Sequence, residues 1–198
     1  GINESALRNE NLFFTLFGKS VDLNKMVENI HPLNARSKII NCDEQVLMTD
    51  KPTDAIRLKK NSSMQLSIDH VASGKSNAVL SCGNTGALMA ISLLKLRTVA
   101  NIRRPSIASI WPNIKGESIV LDLGANIKND TNSLIDNAIL GSALAKVLFS
   151  MTEPSVGLLN VGIEDMKGNE NVQKASEILL EMSNKKQLNY YGFVEGAD

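Results

Sequence analysis

The sequence predicts an α/β fold built on a mostly parallel sheet covered on both faces. Three observations carry this expectation. Short β-type runs recur along the chain, at Leu12–Phe17, Lys38–Asn41, Ala78–Leu80, Ser106–Ile110, Ser118–Leu123, Val156–Val161 and Leu188–Val194. Helical patterns lie between many of them, the alternation that βαβ units produce. The runs IVLDLG (119–124) and VGLLNVG (156–162) are largely apolar on both alternating faces, as strands buried on both sides are.

The helical elements are marked in turn. Ser62 and Gln65 have the spacing of a capping box. Met64, Ile68 and Val71 follow at i, i+4 and i+7, and Gly74 supplies a stop. Leu88 to Leu96 is apolar nearly all round, which predicts a helix buried between layers. Val172, Ala175, Leu179 and Met182 form a further stripe. With no repeat, low-complexity tract or linker, residues 1–198 read as a single α/β domain. The closing NYYGFVEGAD reads as one more strand and loop, leaving an unfinished sheet edge. The expectation is a fragment of a larger α/β protein, incomplete at both ends.

Composition narrows the function. The 198 residues carry 21 Lys+Arg against 21 Asp+Glu, which argues against nucleic-acid binding through bulk charge. Only 4% are aromatic, too few for base-stacking platforms. At 43% apolar the chain can bury a core, and no apolar run approaches the roughly 18 residues of a membrane span. Cys42 and Cys82 stand far apart, without a CxxC, and His31 and His70 stand alone. A disulfide framework or zinc site is not expected, and reduced thiols fit a cytoplasm.

Ligands of open parallel sheets bind outside the carboxyl ends of the strands. Three polar loops fall there: Ser81–Ala87, Asp122–Asp130 and Asn160–Glu170. The expected topology would bring them to one rim. The first opens a helix, so its N–H groups and the helix dipole favour an anion. It is neither a P-loop nor a GxGxxG turn. Lys167, in Lys-Gly-Asn-Glu, is a cation at a helix start that could pair with phosphate or a developing oxyanion. The same features also have ordinary readings: glycine at a strand end permits close packing, and a lone lysine is commonly solvated. Cys82 could be a nucleophile but reads first as a small semi-buried residue, His70 reads as partly exposed, and Asp122 could orient its loop or act as a base, orienting being the first reading. Arg57, Lys59 and Lys60 form a basic cluster that is either a solvated helix face or a contact for an acidic partner.

The stretches DKPTDAIRLKKNSSM (50–64), SCGNTGALMA (81–90), RRPSIASIWP (103–112), LDLGAN (121–126), GLLNVGIEDMKGNE (157–170) and GFVEGAD (192–198) together resemble the PlsX-type phosphate acyltransferases of bacterial phospholipid synthesis. The resemblance runs from about Leu12 to the end and follows the family's order. It implies a three-layer α/β/α sandwich, similar to phosphotransacetylases and isocitrate dehydrogenases. It implies acyl transfer from acyl-acyl-carrier-protein to inorganic phosphate, giving acyl phosphate, with no metal or other cofactor. It also implies a homodimer in the cytoplasm, peripheral at the inner face of the membrane.

Carried over residue by residue, the resemblance makes Lys167 catalytic. Ser81, Gly83, Asn84, Thr85, Gly86, Asn126 and Asn169 then bind or orient substrate and phosphate, and Arg57, Lys59 and Lys60 are candidates for contact with acyl carrier protein. Cys82 stands where the family usually has alanine, against a nucleophilic role. The family's opening Asp-Ala-Met-Gly-Gly-Asp motif is not found ahead of Gly1. Its Asp-Gly-Phe-Thr-Gly-Asn loop and apolar membrane-contacting element are not found by Asp198. Competing expectations are a phosphotransacetylase using a short acyl-CoA, an NAD(P)-dependent dehydrogenase of related fold, or a non-catalytic chain that dimerises or binds carrier protein. The lack of a dinucleotide turn and of a carboxylate cluster for metal weighs against the dehydrogenase.

Overall fold

Phe14–Gly18 (β1) and Ser37–Asn41 (β2) pair in parallel, Phe14 opposite Ser37 and Gly18 opposite Asn41. This is seen in a computed structural model that describes residues 1–114, 116–126, 129–162 and 168–196. The chain divides into two units, Gly1–Arg97 and Thr98–Asp198.

In the first unit, helix α1 (Ile2–Arg8) precedes β1, and α2 (Ser20–Val27) connects β1 to β2. Arg36 holds the end of α1, donating to the carbonyls of Ala6 at 2.5 Å and Asn9 at 3.0 Å. A cation there satisfies C-terminal carbonyls and complements the helix dipole. Helices α3 (Pro52–Leu58), α4 (Ser63–Ala72) and α5 (Thr85–Leu96) follow. Ala55, Met64, Ile68, Ala87 and Ile91 form their shared core, one contribution or more from each helix. The apolar spacing expected over 64–71 therefore marks a true core face.

The predicted capping box is half formed. Ser62 Oγ accepts from the Gln65 N–H at 3.4 Å. The Gln65 carboxamide turns away and donates to the Ala55 and Ile56 carbonyls, each at 3.1 Å. Those buried carbonyls near the end of α3 outcompete the Ser62 amide, which donates instead to the Lys59 carbonyl at 3.1 Å.

In the second unit, β3 (Ala108–Asn113) and β4 (Gly116–Leu121) pair antiparallel, with Ala108 opposite Leu121. Helix α6 (Thr131–Leu148) packs on β4, with the Leu121 side chain 3.2 Å from where a Cβ on Gly141 would lie. Strand β5 (Ser155–Leu159), helix α7 (Glu170–Asn184) and strand β6 (Asn189–Val194) complete it, β5 and β6 pairing in parallel. Ala138 of α6, Leu179 of α7 and Leu188 ahead of β6 are buried together. Ala175 and Leu179 are fully buried and Val172 and Met182 partly so, as the stripe predicted.

Three expectations require correction. Ala78–Leu80 forms no strand: it pairs with no neighbour among the described residues, and Leu80 is exposed. The β3–β4 pair is antiparallel because only residues 114–115 separate the strands, whereas a parallel return needs a crossover of a dozen or more residues. Helix α5 buries only one face. Ala87 and Ile91, at i and i+4, face α3 and α4, while Leu93, Leu94 and Leu96 are exposed.

Truncating the two core anchors, Ile68→Ala in the first unit and Leu179→Ala in the second, is expected to lower unfolding free energy by about 2–5 kcal/mol each. Leu180→Ala, on the exposed side of α7, is expected to stay within about 0.5 kcal/mol. Denaturant titration of the three variants beside the parent checks both values.

Candidate functional site

In the first unit the candidate site is the turn that opens α5. Asn84 is its N-cap and is buried. Its Oδ1 accepts from the Ala87 N–H at 3.0 Å, closing the first helical turn. Its Nδ2 faces the carbonyls of Leu47, Met48 and Asp50 at 3.1, 3.2 and 2.9 Å. One carboxamide thus ties α5 to a segment more than thirty residues earlier. The Asp50 carboxylate shapes that segment. It accepts from the Leu47 N–H at 2.7 Å and forms an ion pair with Lys59, whose ammonium also donates to the Gln45 carbonyl at 3.0 Å. The Lys59 hydrogen bond, with that from Leu47, holds the Asp50 carboxyl below the usual carboxylate range.

The other turn residues follow from this clamp. The Gly83 N–H donates to Ser81 Oγ at 3.2 Å. A Cβ on Gly83 would lie 3.1 Å from Met64, and one on Gly86 3.2 Å from the Pro52 ring. These glycines permit close packing and not a left-handed backbone. Thr85 and Gly86 are exposed and occupy the first two helical positions, where backbone N–H groups have no intrahelical acceptor. The chemical resource of the turn is this pair of amides with the Thr85 hydroxyl, while the Asn84 side chain is spent on structure.

Cys82 is exposed, not semi-buried as expected, whereas Cys42 is buried and its thiol is pushed up by burial. His70 is engaged by Ser76 Oγ at 2.9 Å and meets Phe17 edge-on at 5.3 Å. Within the basic cluster the structure separates two roles. Arg57 and Lys60 are exposed, and Lys59 is turned inward to Asp50.

In the second unit, Asp122 organises the loop after β4. Its Oδ1 accepts from the N–H groups of Ile107 at 3.0 Å and Ala125 at 3.1 Å. Its Oδ2 accepts from Asn126 N and Asn126 Nδ2, both at 2.8 Å. Burial presses the Asp122 carboxyl upward, but the hydrogen bonds from Ile107, Asn126 and Ala125 outweigh it and hold it below the usual range. Asn126 also donates to the Pro105 carbonyl at 3.3 Å. Its amide hydrogens therefore lock the loop, leaving Oδ1 as the atom it can offer a substrate.

The third loop is described on either side of residues 163–167, so Lys167 lies outside the described residues. Asn160 donates to the Gly162 carbonyl at 3.0 Å, and its Oδ1 lies 2.5 Å from where a Cβ on Gly168 would stand. Gly168 has φ +93°, so both space and backbone require glycine there. Asn169 caps α7, its Oδ1 accepting from the Val172 N–H at 3.1 Å.

The residues alone did not single out a cavity of about 450 Å³ in this unit, lined by Arg103, Arg104, Asn129, Asp130, Ser133 and Asn171. Asp130 caps α6, accepting from the Ser133 N–H at 2.7 Å and Ser133 Oγ at 2.8 Å, which holds its carboxyl down with help from Arg103 and Arg104. Arg103 reaches Asp130 at 3.5 Å and Asp136 at 3.6 Å. The legible signal was the Arg-Arg-Pro that precedes β3. Among the described residues no group of His, Cys, Asp and Glu is placed to hold a metal ion, and no helix is long and apolar enough to cross a membrane.

Replacing Asp122 by Asn sets an NH2 against a ring of donors, because all four of its partners are N–H groups. The expected loss is about 1.5–3 kcal/mol at neutral pH. A depressed carboxyl contributes fully above its unfolded value, about 3.9, and loses the contribution as pH falls through the lower folded value. Stability of D122N and parent measured against pH should therefore differ by a constant amount near neutrality and converge in acid.

The family described as "Fatty acid synthesis protein" matches residues 1–198. The phosphate acyltransferase of Azorhizobium caulinodans is 46% identical over 199 residues, covering 100% of this chain and 56% of that protein. The phosphate acyltransferase of Rhodopseudomonas palustris is 47% identical over 194 residues, covering 97% and 54%. The chain thus spans about half the length of the curated relatives it matches. Among solved structures, the EutD phosphotransacetylase of Staphylococcus aureus superposes with a TM-score of 0.63 at 16% identity, over 98% of this chain and 62% of that one. A branched-chain phosphotransacylase of Enterococcus faecalis gives 0.56 at 15%, with the same coverage. These two likenesses establish the fold as a mixed α/β fold with parallel strand pairs.

Proposed function

Because the chain belongs to the fatty acid synthesis protein family, we propose that the whole protein transfers an acyl group from acyl-acyl-carrier-protein to inorganic phosphate, giving the acyl phosphate used in phospholipid synthesis. The observation that carries this reading is the 46% identity to a phosphate acyltransferase along the entire chain. In the reaction, a phosphate oxygen attacks the thioester carbonyl carbon, a tetrahedral oxyanion forms, the C–S bond breaks and the thiol leaves with a proton. Phosphate is itself the nucleophile, so no enzyme serine or cysteine is required. The protein's work is to position phosphate and to stabilise the oxyanion.

In this reading the Thr85 and Gly86 amides, with the Ser81 and Thr85 hydroxyls, receive phosphate; Gly83 and Asn84 shape the turn. Asn126 offers Oδ1 for orientation, and Asn169 sets the start of α7. Lys167 stabilises the developing charge. The complete fold is a three-layer α/β/α sandwich, in keeping with the phosphotransacetylase likeness. The working form is a cytoplasmic homodimer, peripheral at the inner face of the membrane.

The expected cost of Lys167→Ala in the full-length protein is about 10²–10³ in single-turnover acyl-phosphate formation, the usual loss of one oxyanion donor. A rate within a few-fold of the parent removes Lys167 from the mechanism. Running the parent with long-chain acyl-carrier-protein and with acetyl-CoA separates this activity from that of a phosphotransacetylase.

For carrier-protein docking, the exposed pair Arg57 and Lys60 is the part of the basic cluster available to an acidic partner, with Leu58 exposed between them. Reversing both charges is expected to weaken carrier binding at low ionic strength and to flatten its salt dependence. Titration of carrier protein at two salt concentrations checks this, and unchanged low-salt affinity rules the pair out.

A further inference from the structure

Lys59 belongs to the basic cluster in sequence, yet its side chain is used inside the fold. Its ammonium meets the Asp50 carboxylate and the Gln45 carbonyl, and 27% of the Lys59 side chain and 19% of the Asp50 side chain remain exposed. Asp50 in turn fixes the Leu47 N–H at 2.7 Å. The carbonyls of Leu47, Met48 and Asp50 are those on which Asn84 Nδ2 is hung. Asn84 Oδ1 closes the first turn of α5 on the Ala87 N–H. Pro52, two residues past Asp50, lies against Gly86. A continuous path of contacts therefore runs from one ion pair to the amides of Thr85 and Gly86.

We propose that the Asp50–Lys59 ion pair is a positioning device for the α5 amides: it sets the 45–50 segment, and through Asn84 that segment sets the direction in which the Thr85 and Gly86 N–H groups point. Neither Asp50 nor Lys59 touches phosphate. The proposal rests on the reading of this turn as the phosphate site. Two features of the network suit such a role. The segment carries three carbonyls at one point, which repel one another unless a donor group holds them. The donor that does so, a carboxamide, is directional, so a shift of the segment is passed to the helix start. Misplacing a reacting group by about 1 Å can cost about 10²-fold in rate.

The test uses the full-length protein in three variants. Lys59→Met keeps the aliphatic stem and removes the ammonium; Lys59→Arg restores a cation able to reach both Asp50 and Gln45. Thr85→Pro removes two of the proposed phosphate ligands together, the amide hydrogen at the first helical position and the Thr85 hydroxyl; proline is tolerated at that position, and the extended backbone of Asn84 (φ −61°, ψ 109°) suits a following proline.

In K59M the KM for inorganic phosphate should rise about 10-fold or more, the KM for acyl-carrier-protein should change less than about twofold, and hydrogen exchange at the Leu47 and Ala87 amides should accelerate. K59R should recover most of each loss, which separates positioning from general destabilisation. T85P should raise the phosphate KM on its own. If T85P raises the phosphate KM and K59M does not, the positioning role is overturned and the phosphate reading stands. Unchanged exchange in K59M, or a rise confined to the carrier-protein KM, also overturns it. If T85P leaves the phosphate KM unchanged, the phosphate reading fails and the proposal falls with it.

Discussion

The Asn84 carboxamide is the interaction on which the start of α5 and the segment packed against it depend. A buried amide group is costly unless its hydrogen-bonding capacity is used. Here the oxygen closes a helix and the nitrogen gathers three carbonyls of a distant segment. Satisfying one side chain therefore fixes the start of α5, the course of residues 47–50 and, through Pro52 against Gly86, the entry into α3. Aspartate would accept at the helix start but could not donate to the carbonyls, and serine would be too short to reach them. The double demand selects a carboxamide.

The second unit solves the converse problem with a carboxylate. After β4 the backbone turns so that N–H groups from 107, 125 and 126 converge on one point, joined by the Asn126 amide. Four donors need an acceptor-only group, and an ionised carboxylate is one. Its charge is stabilised by the same bonds that shape the loop, which is why its proton is held only at low pH. In both units the residue most easily taken for a substrate ligand, Asn84 in one and Asn126 in the other, commits its side-chain N–H groups to the protein.

Those commitments show where the sequence was legible and where it was not. Helical faces could be read because burial follows a local period: Met64 and Ile68, like Ala175 and Leu179, are spaced as core positions and are buried. Strand direction could have been read at 113–116, where the connection is too short for any parallel return, but alternation alone does not encode it. What local pattern cannot show is a partner distant in sequence. Lys59 looks like its neighbours Arg57 and Lys60, and only Asp50, nine positions away, turns it inward. Gln65 has capping-box spacing, and only the Ala55 and Ile56 carbonyls draw it away. The Arg103 and Arg104 cavity needed α6 and α7 to be brought together before it could exist.

The contrast between the two thiols has a practical side. Cys42 is buried and its proton is held more tightly than usual, while Cys82 is exposed two residues ahead of Asn84. A thiol-directed reagent therefore meets a single exposed thiol in the 198 residues, with no engineered cysteine needed. A fluorophore placed there would sit at the edge of the clamped turn. A residue with no assigned role would thus report on the turn beside it.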